Sequence, residues 1–220
     1  MNRQPLATRT VRSQNTSPAV MSQRIEPADG LDDFPTPPWA TRALLEHVLS
    51  RQDGLSTLCC LEPACGAGHM ARVLKEYFGE VESADVHDYG FGKVRDFLGS
   101  PYESNSVDWV ITNPPFRLAD RFVLRALDVA RQGVAVLART VFLESLGRYE
   151  SIFRQSPPNI FGQFVERVPM LRGRLDRTAS TATGYAWFVW DRRIASEAQT
   201  RLVWIPPCRK RLEREGDYPN

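Results

Sequence analysis

Apolar residues along this chain switch repeatedly between a spacing of three to four and short continuous runs. Ala40, Leu44, Leu45 and Val48 fall on one helical face, and the run Leu58-Cys59-Cys60-Leu61 follows as a short strand. Met70, Val73, Leu74, Tyr77 and Phe78 restore the helical period before Val81-Glu82-Ser83-Ala84-Asp85 predicts a second strand. Val94 to Leu98 reads as a third strand and Val107 to Ile111 as a fourth. Ala119, Phe122, Val123, Ala126, Leu127 and Ala130 then mark an amphipathic helix stopped by Gly133, and Val134 to Ala138 gives a fifth strand. Beyond it the pattern loosens. Thr140 to Pro158 mixes short helical patterns, while Phe164 to Val168, Tyr185 to Trp190 and Arg201 to Ile205 are strand-like. Helices alternating with strands predict an α/β domain with a mostly parallel sheet and right-handed crossovers.

The same pattern sets the boundaries. Residues 1–30 are rich in Arg, Ser, Thr, Gln and Pro without a usable period, and read as a mobile tail. Residues 31–207 read as a single domain, and 208–220 as a charged tail expected to fray. With 220 residues, 42% hydrophobic and 25% charged, the chain has the composition of a soluble protein with a full core. No apolar stretch approaches a membrane span, and the amino terminus lacks a signal-peptide apolar region, so the expected location is the cytoplasm. Cys59, Cys60, Cys65 and Cys208 have neither disulfide-framework nor zinc spacing, and His47, His69 and His87 are scattered, so no metal site is expected. The net charge of +2 confines any nucleic-acid surface to a local patch.

Candidate chemistry gathers where strands end. Asp33-Phe34-Pro35-Thr36-Pro37-Pro38 opens the first helix, with Thr36 as its expected cap and prolines in the first turn. Glu62-Pro63-Ala64-Cys65-Gly66-Ala67-Gly68 lies between a strand and a helix, where glycines let the backbone approach a ligand at a helix amino terminus. Gly66-x-Gly68-x-x-Ala71 also fits a relaxed dinucleotide fingerprint, which keeps NAD open at this point. Asp85 ends the second strand, where a carboxylate can accept both hydroxyls of a ribose. Asp96 could accept from the exocyclic amine of an adenine ring. The fourth strand ends in Asn113-Pro114-Pro115-Phe116. Two prolines cannot donate to a sheet ladder, and Pro115 holds Pro114 extended, so an amide and an aromatic ring stand at a rigid strand end. In open α/β sheets ligands bind beyond the carboxyl ends of the strands, so one crevice can hold Gly66, Asp85, Asp96 and Asn113.

The region from about Phe34 to Trp190 resembles the class I S-adenosylmethionine-dependent methyltransferases, most closely those that modify the amino group of adenine in DNA. Asn-Pro-Pro-aromatic is similar to the catalytic tetrapeptide of enzymes that methylate a planar nitrogen. By this resemblance Asn113, Pro114, Pro115 and Phe116 are catalytic. Phe34, Thr36 and Pro37 flank the methionine end of the cofactor, Glu62 to Gly68 form the glycine loop, Asp85 is the ribose acid, and Asp96 with Phe97 contacts the adenine. The implied cofactor is S-adenosylmethionine and the implied fold a Rossmann-like sheet of seven strands, the last antiparallel. NAD loses ground, because no residue pair looks suited to hydride transfer.

The resemblance implies a nucleic-acid substrate, DNA first. RNA bases, the glutamine side-chain amide of a protein, and a non-catalytic cofactor-binding adaptor are the alternatives. Arg117, Arg172, Arg174 and Arg177 are the candidate phosphate contacts. Arg117, Arg121 and Arg125 recur every four residues, a pattern that local pairs with Asp120 and Asp128 also explain. Completing the sheet uses most of the hundred or so residues after Asn113, leaving little for a target-recognition domain. Specificity is then expected in residues 140–158, in 171–183, in a specificity subunit, or in a second copy of the chain.

Overall fold

The computed structural model describes residues 32–49, 54–194 and 199–218; the tail expected over residues 1–30 lies outside them. A sheet of eight strands runs through the unit Asp32–Asn220. The strands are β1 (Cys59–Glu62), β2 (Glu80–Asp85), β3 (Lys93–Val94), β4 (Val107–Thr112), β5 (Ala130–Arg139), β6 (Ile160–Phe164), β7 (Tyr185–Asp191) and β8 (Arg201–Ile205). Their order is β3-β2-β1-β4-β5-β7-β6-β8. β7 is antiparallel to β5 and β6, and every other pairing is parallel. The seven strands expected, with the last antiparallel, are present. The eighth adds a parallel edge strand beyond β6.

Three helices matter for the site: α1 (Pro38–Ala43, continued by a wide turn over Leu44–Val48), α2 (His69–Leu74) and α3 (Ala119–Val129). Trp39, Leu44 and Leu45 of α1 pack with Met70 and Leu74 of α2 on one face of the sheet. Phe122, Val123 and Ala126 of α3 pack with Phe142 and Ile152 on the other. β4, completely buried, reads as an apolar run because helices cover both faces. Among the described residues, no helix is long and apolar enough to cross a membrane.

Several elements depart from their expected limits. α2 ends at Leu74, with Tyr77 and Phe78 in the turns that follow. The third strand is two residues long, because Val94 is exposed and gains nothing from a longer ladder. Gly133 does not stop α3. The helix runs directly into β5, and Gly133 lies inside the strand opposite Trp109, where a Cβ would stand 2.4 Å from the indole ring. The sixth strand is Ile160–Phe164 rather than Phe164 to Val168. The segment 208–218, expected to fray, is tied down by the Arg42 guanidinium. It donates to the Leu212 carbonyl at 2.8 Å, to Asp217 at 2.7 and 2.9 Å, and to Glu76 at 2.7 and 3.0 Å.

Candidate active site

The prolines end β4 at Thr112 and leave Asn113 at the carboxyl edge of the sheet, beside the point where strand order reverses between β1 and β4. The Asn113 side-chain Nδ2 donates to the Phe34 carbonyl at 2.9 Å and to Thr36 Oγ1 at 3.1 Å, with Met170 Sδ at 3.7 Å. A carbonyl oxygen can only accept, so this contact fixes which way the amide faces. Asn113 Oδ1 is buried and has no hydrogen-bond partner among the described residues. Thr36 therefore does not cap α1. Pro37 is the helix cap and makes no side-chain hydrogen bond, while the Thr36 hydroxyl holds the amide.

The lead-in segment is clamped across the tetrapeptide. Asp32 Oδ2 accepts the Phe116 backbone N–H, the Asp33 carbonyl accepts from Gly173 N at 2.9 Å, and the Phe34 and Phe116 rings lie 5.0 Å apart. Tyr185, the first residue of β7, has its ring 6.5 Å from that of Phe116. Arg139, the last residue of β5, lays its guanidinium over the Phe116 ring at 4.1 Å. Pro114 is buried and Pro115 half-buried, and the Pro115 carbonyl closes a turn by accepting from Leu118 N at 2.9 Å.

The glycine loop forms the neighbouring wall. Gly66 and Gly68 have φ of +48° and +81°, a region that a side chain strains. A Cβ on Gly68 would lie 2.4 Å from the Phe91 ring, so that ring packs directly on the loop. Asp85 steadies the loop, accepting from Gly66 N at 2.9 Å through one oxygen and from His87 N at 3.1 Å through the other. Each oxygen retains a lone pair for a further donor.

Three carboxylates converge here. Burial pushes the Glu62 carboxyl well above its ordinary range, the charge of Asp85 adds to this, and the Ala71 backbone N–H opposes it. Glu62 Oε2 is buried without a hydrogen-bond partner. Burial, followed by Asp85, also raises Asp33, against the pull of Arg172. The Cys65 thiol is pushed up to about 12 by burial, then by Glu62 and Asp85. Tyr89 is likewise pushed up to about 12, by burial, then by Asp33, Asp85 and Cys65. Burial and mutual repulsion disfavour the charged forms of Glu62 and Asp33, and a cationic ligand would relieve that strain.

Asp96 and Phe97 lie just past β3. Asp96 is exposed in a turn, with Oδ1 accepting from Leu98 N at 2.9 Å. Phe97 is 1% exposed and packs between Tyr102 and Phe122 at ring distances of 5.5 and 5.2 Å. The candidate arginines are dispersed. Arg172 faces Asp33, and Arg174 lies 3.9 Å from Asp176. Arg177 turns to the carboxy-terminal segment, 3.9 Å from Glu213 and over the Tyr218 ring at 5.1 Å. Arg117 is exposed just past the tetrapeptide. Arg125 pairs with Asp128 at 2.6 Å, as local pairing predicts, whereas Asp120 meets Arg148 at 3.6 Å.

Sequence reasoning missed Asp32, Asp33, Tyr89, Phe91, Arg139 and Met170. Asp32 and Asp33 adjoin the Phe-x-Thr-Pro segment and were its readable signal. The others reach the site only through long-range packing.

The chain matches no protein-family model and no curated protein. Among solved structures it is similar to a protein of Listeria monocytogenes provisionally assigned as a class I S-adenosylmethionine-dependent methyltransferase. The TM-score is 0.56 at 13% identity, over 80% of this chain and 67% of that one. It is also similar to a modification subunit of a provisionally assigned type I restriction enzyme from Vibrio vulnificus, with TM-score 0.52 and 16% identity over 75% of this chain. The match spans 46% of that subunit, less than half its length. A third likeness is to a provisionally assigned RNA methyltransferase of Pyrococcus horikoshii, with TM-score 0.50 and 17% identity over 72% of this chain and 83% of that one. The chain has the fold of these proteins, a mostly parallel α/β sheet of order 3-2-1-4-5-7-6-8 with a lone antiparallel β7.

Proposed function

We propose that this protein is an S-adenosylmethionine-dependent N-methyltransferase acting on the exocyclic amino group of adenine in DNA. The reading is carried by one observation, the buried Asn113 Oδ1 that has no partner among the described residues while its Nδ2 is held by Phe34 and Thr36. A buried acceptor without a donor is destabilising, by about 1–3 kcal/mol, and such a group points to a ligand that supplies an N–H. The names of the restriction-modification and RNA-methyltransferase neighbours agree with a nucleic-acid substrate.

The cleft residues suit the cofactor. Gly66 and Gly68 allow close backbone approach, Asp85 has acceptors for ribose hydroxyls, and a bound ammonium and sulfonium would favour the charged forms of Asp33 and Glu62. When bound, S-adenosylmethionine supplies a methyl group on a good leaving group, so the protein's task is orientation.

An aromatic amine is a poor nucleophile because its lone pair is conjugated with the ring. Asn113 Oδ1 and the Pro114 carbonyl accept its two N–H groups, which favours a pyramidal nitrogen with its lone pair directed out of the ring plane. Because the amide is held by Phe34 and Thr36 beforehand, little reorganisation is needed when the amine arrives. Phe116 offers an aromatic surface to a flipped-out base, worth about 1–3 kcal/mol in related stacking. Target choice then rests with residues 140–158, with 171–183 or with a second subunit. Transfer of radiolabelled methyl from the cofactor to DNA, RNA and a protein extract in parallel tests the reading and separates its alternatives.

A further inference from the structure

We propose that the ends of β5, β7 and β6 form a track for a sugar–phosphate chain, with Arg139 and Arg167 as its phosphate contacts. The inference rests on the nucleic-acid reading above and names where the strand crosses the protein.

β5 and β6 are parallel and β7 opposes them, so the carboxyl ends of β5 and β6 share an edge with the amino end of β7. Arg139 closes β5 and is in register with Tyr185. Arg167 follows the end of β6 by three residues. Gly184 lies between them, with its carbonyl accepting from Thr140 N at 3.0 Å. A Cβ on Gly184 would stand 3.0 Å from both Arg167 Nη1 and Thr140 Oγ1. The missing side chain therefore lets the Arg167 guanidinium lie across the strand end, with a hydroxyl beside it.

Among the described residues, neither guanidinium is neutralised. The Nε of Arg139 is buried without a hydrogen-bond partner, and its contact is the face of Phe116. Neither arginine forms an ion pair among the described residues. Glu166, next to Arg167, is engaged elsewhere, accepting from Cys208 N at 3.2 Å and Arg209 N at 2.7 Å. Guanidinium is the side chain best matched to phosphate.

Position gives the pair its role. Arg139 touches the ring proposed to receive the target base, and Arg167 lies across Gly184 from it. A base held at Phe116 remains attached to its backbone, and that backbone must leave the mouth over this edge. Arg139 reaches it on the β5 side and Arg167 on the β6 side. A protein glutamine would bring no phosphate to either.

The test uses the full chain and labelled single-stranded and duplex adenine-containing oligonucleotides, titrated over a range of salt. Arg139→Gln and Arg167→Gln, singly and together, are compared with wild type, and cofactor affinity checks that each variant is folded. If two phosphates are contacted, the double variant should flatten the slope of log affinity against log salt by about 1.4 units on single strands and about 1.8 on duplex. Arg139→Lys should restore most of the loss at that position, since it keeps the charge without the stacking plane. Equal slopes for wild type and a double variant that still binds cofactor would overturn the track while leaving the nucleic-acid reading intact. Failure of wild type to bind any oligonucleotide at low salt would overturn both.

Discussion

The Phe34 carbonyl accepts the Asn113 side-chain amide at 2.9 Å, and this single contact joins the start of the domain to the end of its fourth strand. It fixes which end of the amide is left for the proposed substrate. Thr36 reinforces it, and Asp32 repeats the connection one turn further on by accepting the Phe116 N–H. The lead-in segment thus works as a brace for the tetrapeptide.

Removing the brace without changing its volume should lower turnover more than binding. Thr36→Val deletes the hydroxyl but leaves the Phe34 contact, so a loss of about tenfold or less in kcat is expected, corresponding to one neutral hydrogen bond. Affinity for the cofactor should change little. Single-turnover methylation alongside cofactor calorimetry checks this. An unchanged kcat would mean that the Phe34 carbonyl alone orients the amide.

Asp85→Ala should weaken cofactor binding by about 1.5–3 kcal/mol, the range for hydrogen bonds to a charged group. The variant also strips Gly66 N of its acceptor, so the loop itself should loosen and the loss should lie in the upper part of that range. Calorimetry reads the affinity, and hydrogen exchange at the glycine loop reads the loosening. An unaltered affinity would remove Asp85 from the site.

Glu62 gives a pH signature. Its carboxyl is held well above the ordinary range in the folded protein, so between its unfolded and folded pKa the native state binds more protons than the unfolded one. Stability from this group is therefore present below the unfolded pKa and is lost as pH rises through the folded pKa. Melting temperatures of cofactor-free wild type and Glu62→Gln, followed upward from about pH 4.5, should diverge, with the glutamine variant gaining on wild type as pH rises. Parallel curves would place the Glu62 carboxyl in a less hostile environment than its burial implies.

The sheet edge and both walls of the cleft were legible in the sequence because each is marked by residues that constrain the backbone. Pro114 and Pro115 stop β4, Gly66 and Gly68 take positive φ, and Asp85 ends β2. What was not legible depends on contacts far apart in sequence. Thr36 looked like a cap because its neighbours are prolines, yet its hydroxyl is drawn 77 positions along the chain to Asn113. Gly133 looked like a helix stop, but the ring of Trp109 on the neighbouring strand is what requires it. The packing of Phe97 against Phe122 joins residues 25 positions apart, and no local pattern announces it. Arg139 carried no local signal at all.

Gly133→Ala tests that reassignment. An added methyl would meet the Trp109 ring at 2.4 Å in a fully packed layer, so a destabilisation of about 1–3 kcal/mol is expected from overpacking. Were Gly133 merely ending α3, alanine would be nearly neutral. Urea unfolding of the two proteins distinguishes these outcomes.

The most direct test of the whole account is methyl transfer by wild type and Asn113→Ala, with cofactor affinity measured on the same preparations. Wild type should transfer label from S-adenosylmethionine to adenine in DNA. Asn113→Ala should bind the cofactor with nearly wild-type affinity and transfer none, because the atom it removes is the one proposed to accept from the substrate amine. Substantial turnover by a folded Asn113→Ala protein, or label appearing only at positions other than a planar nitrogen, would contradict the account.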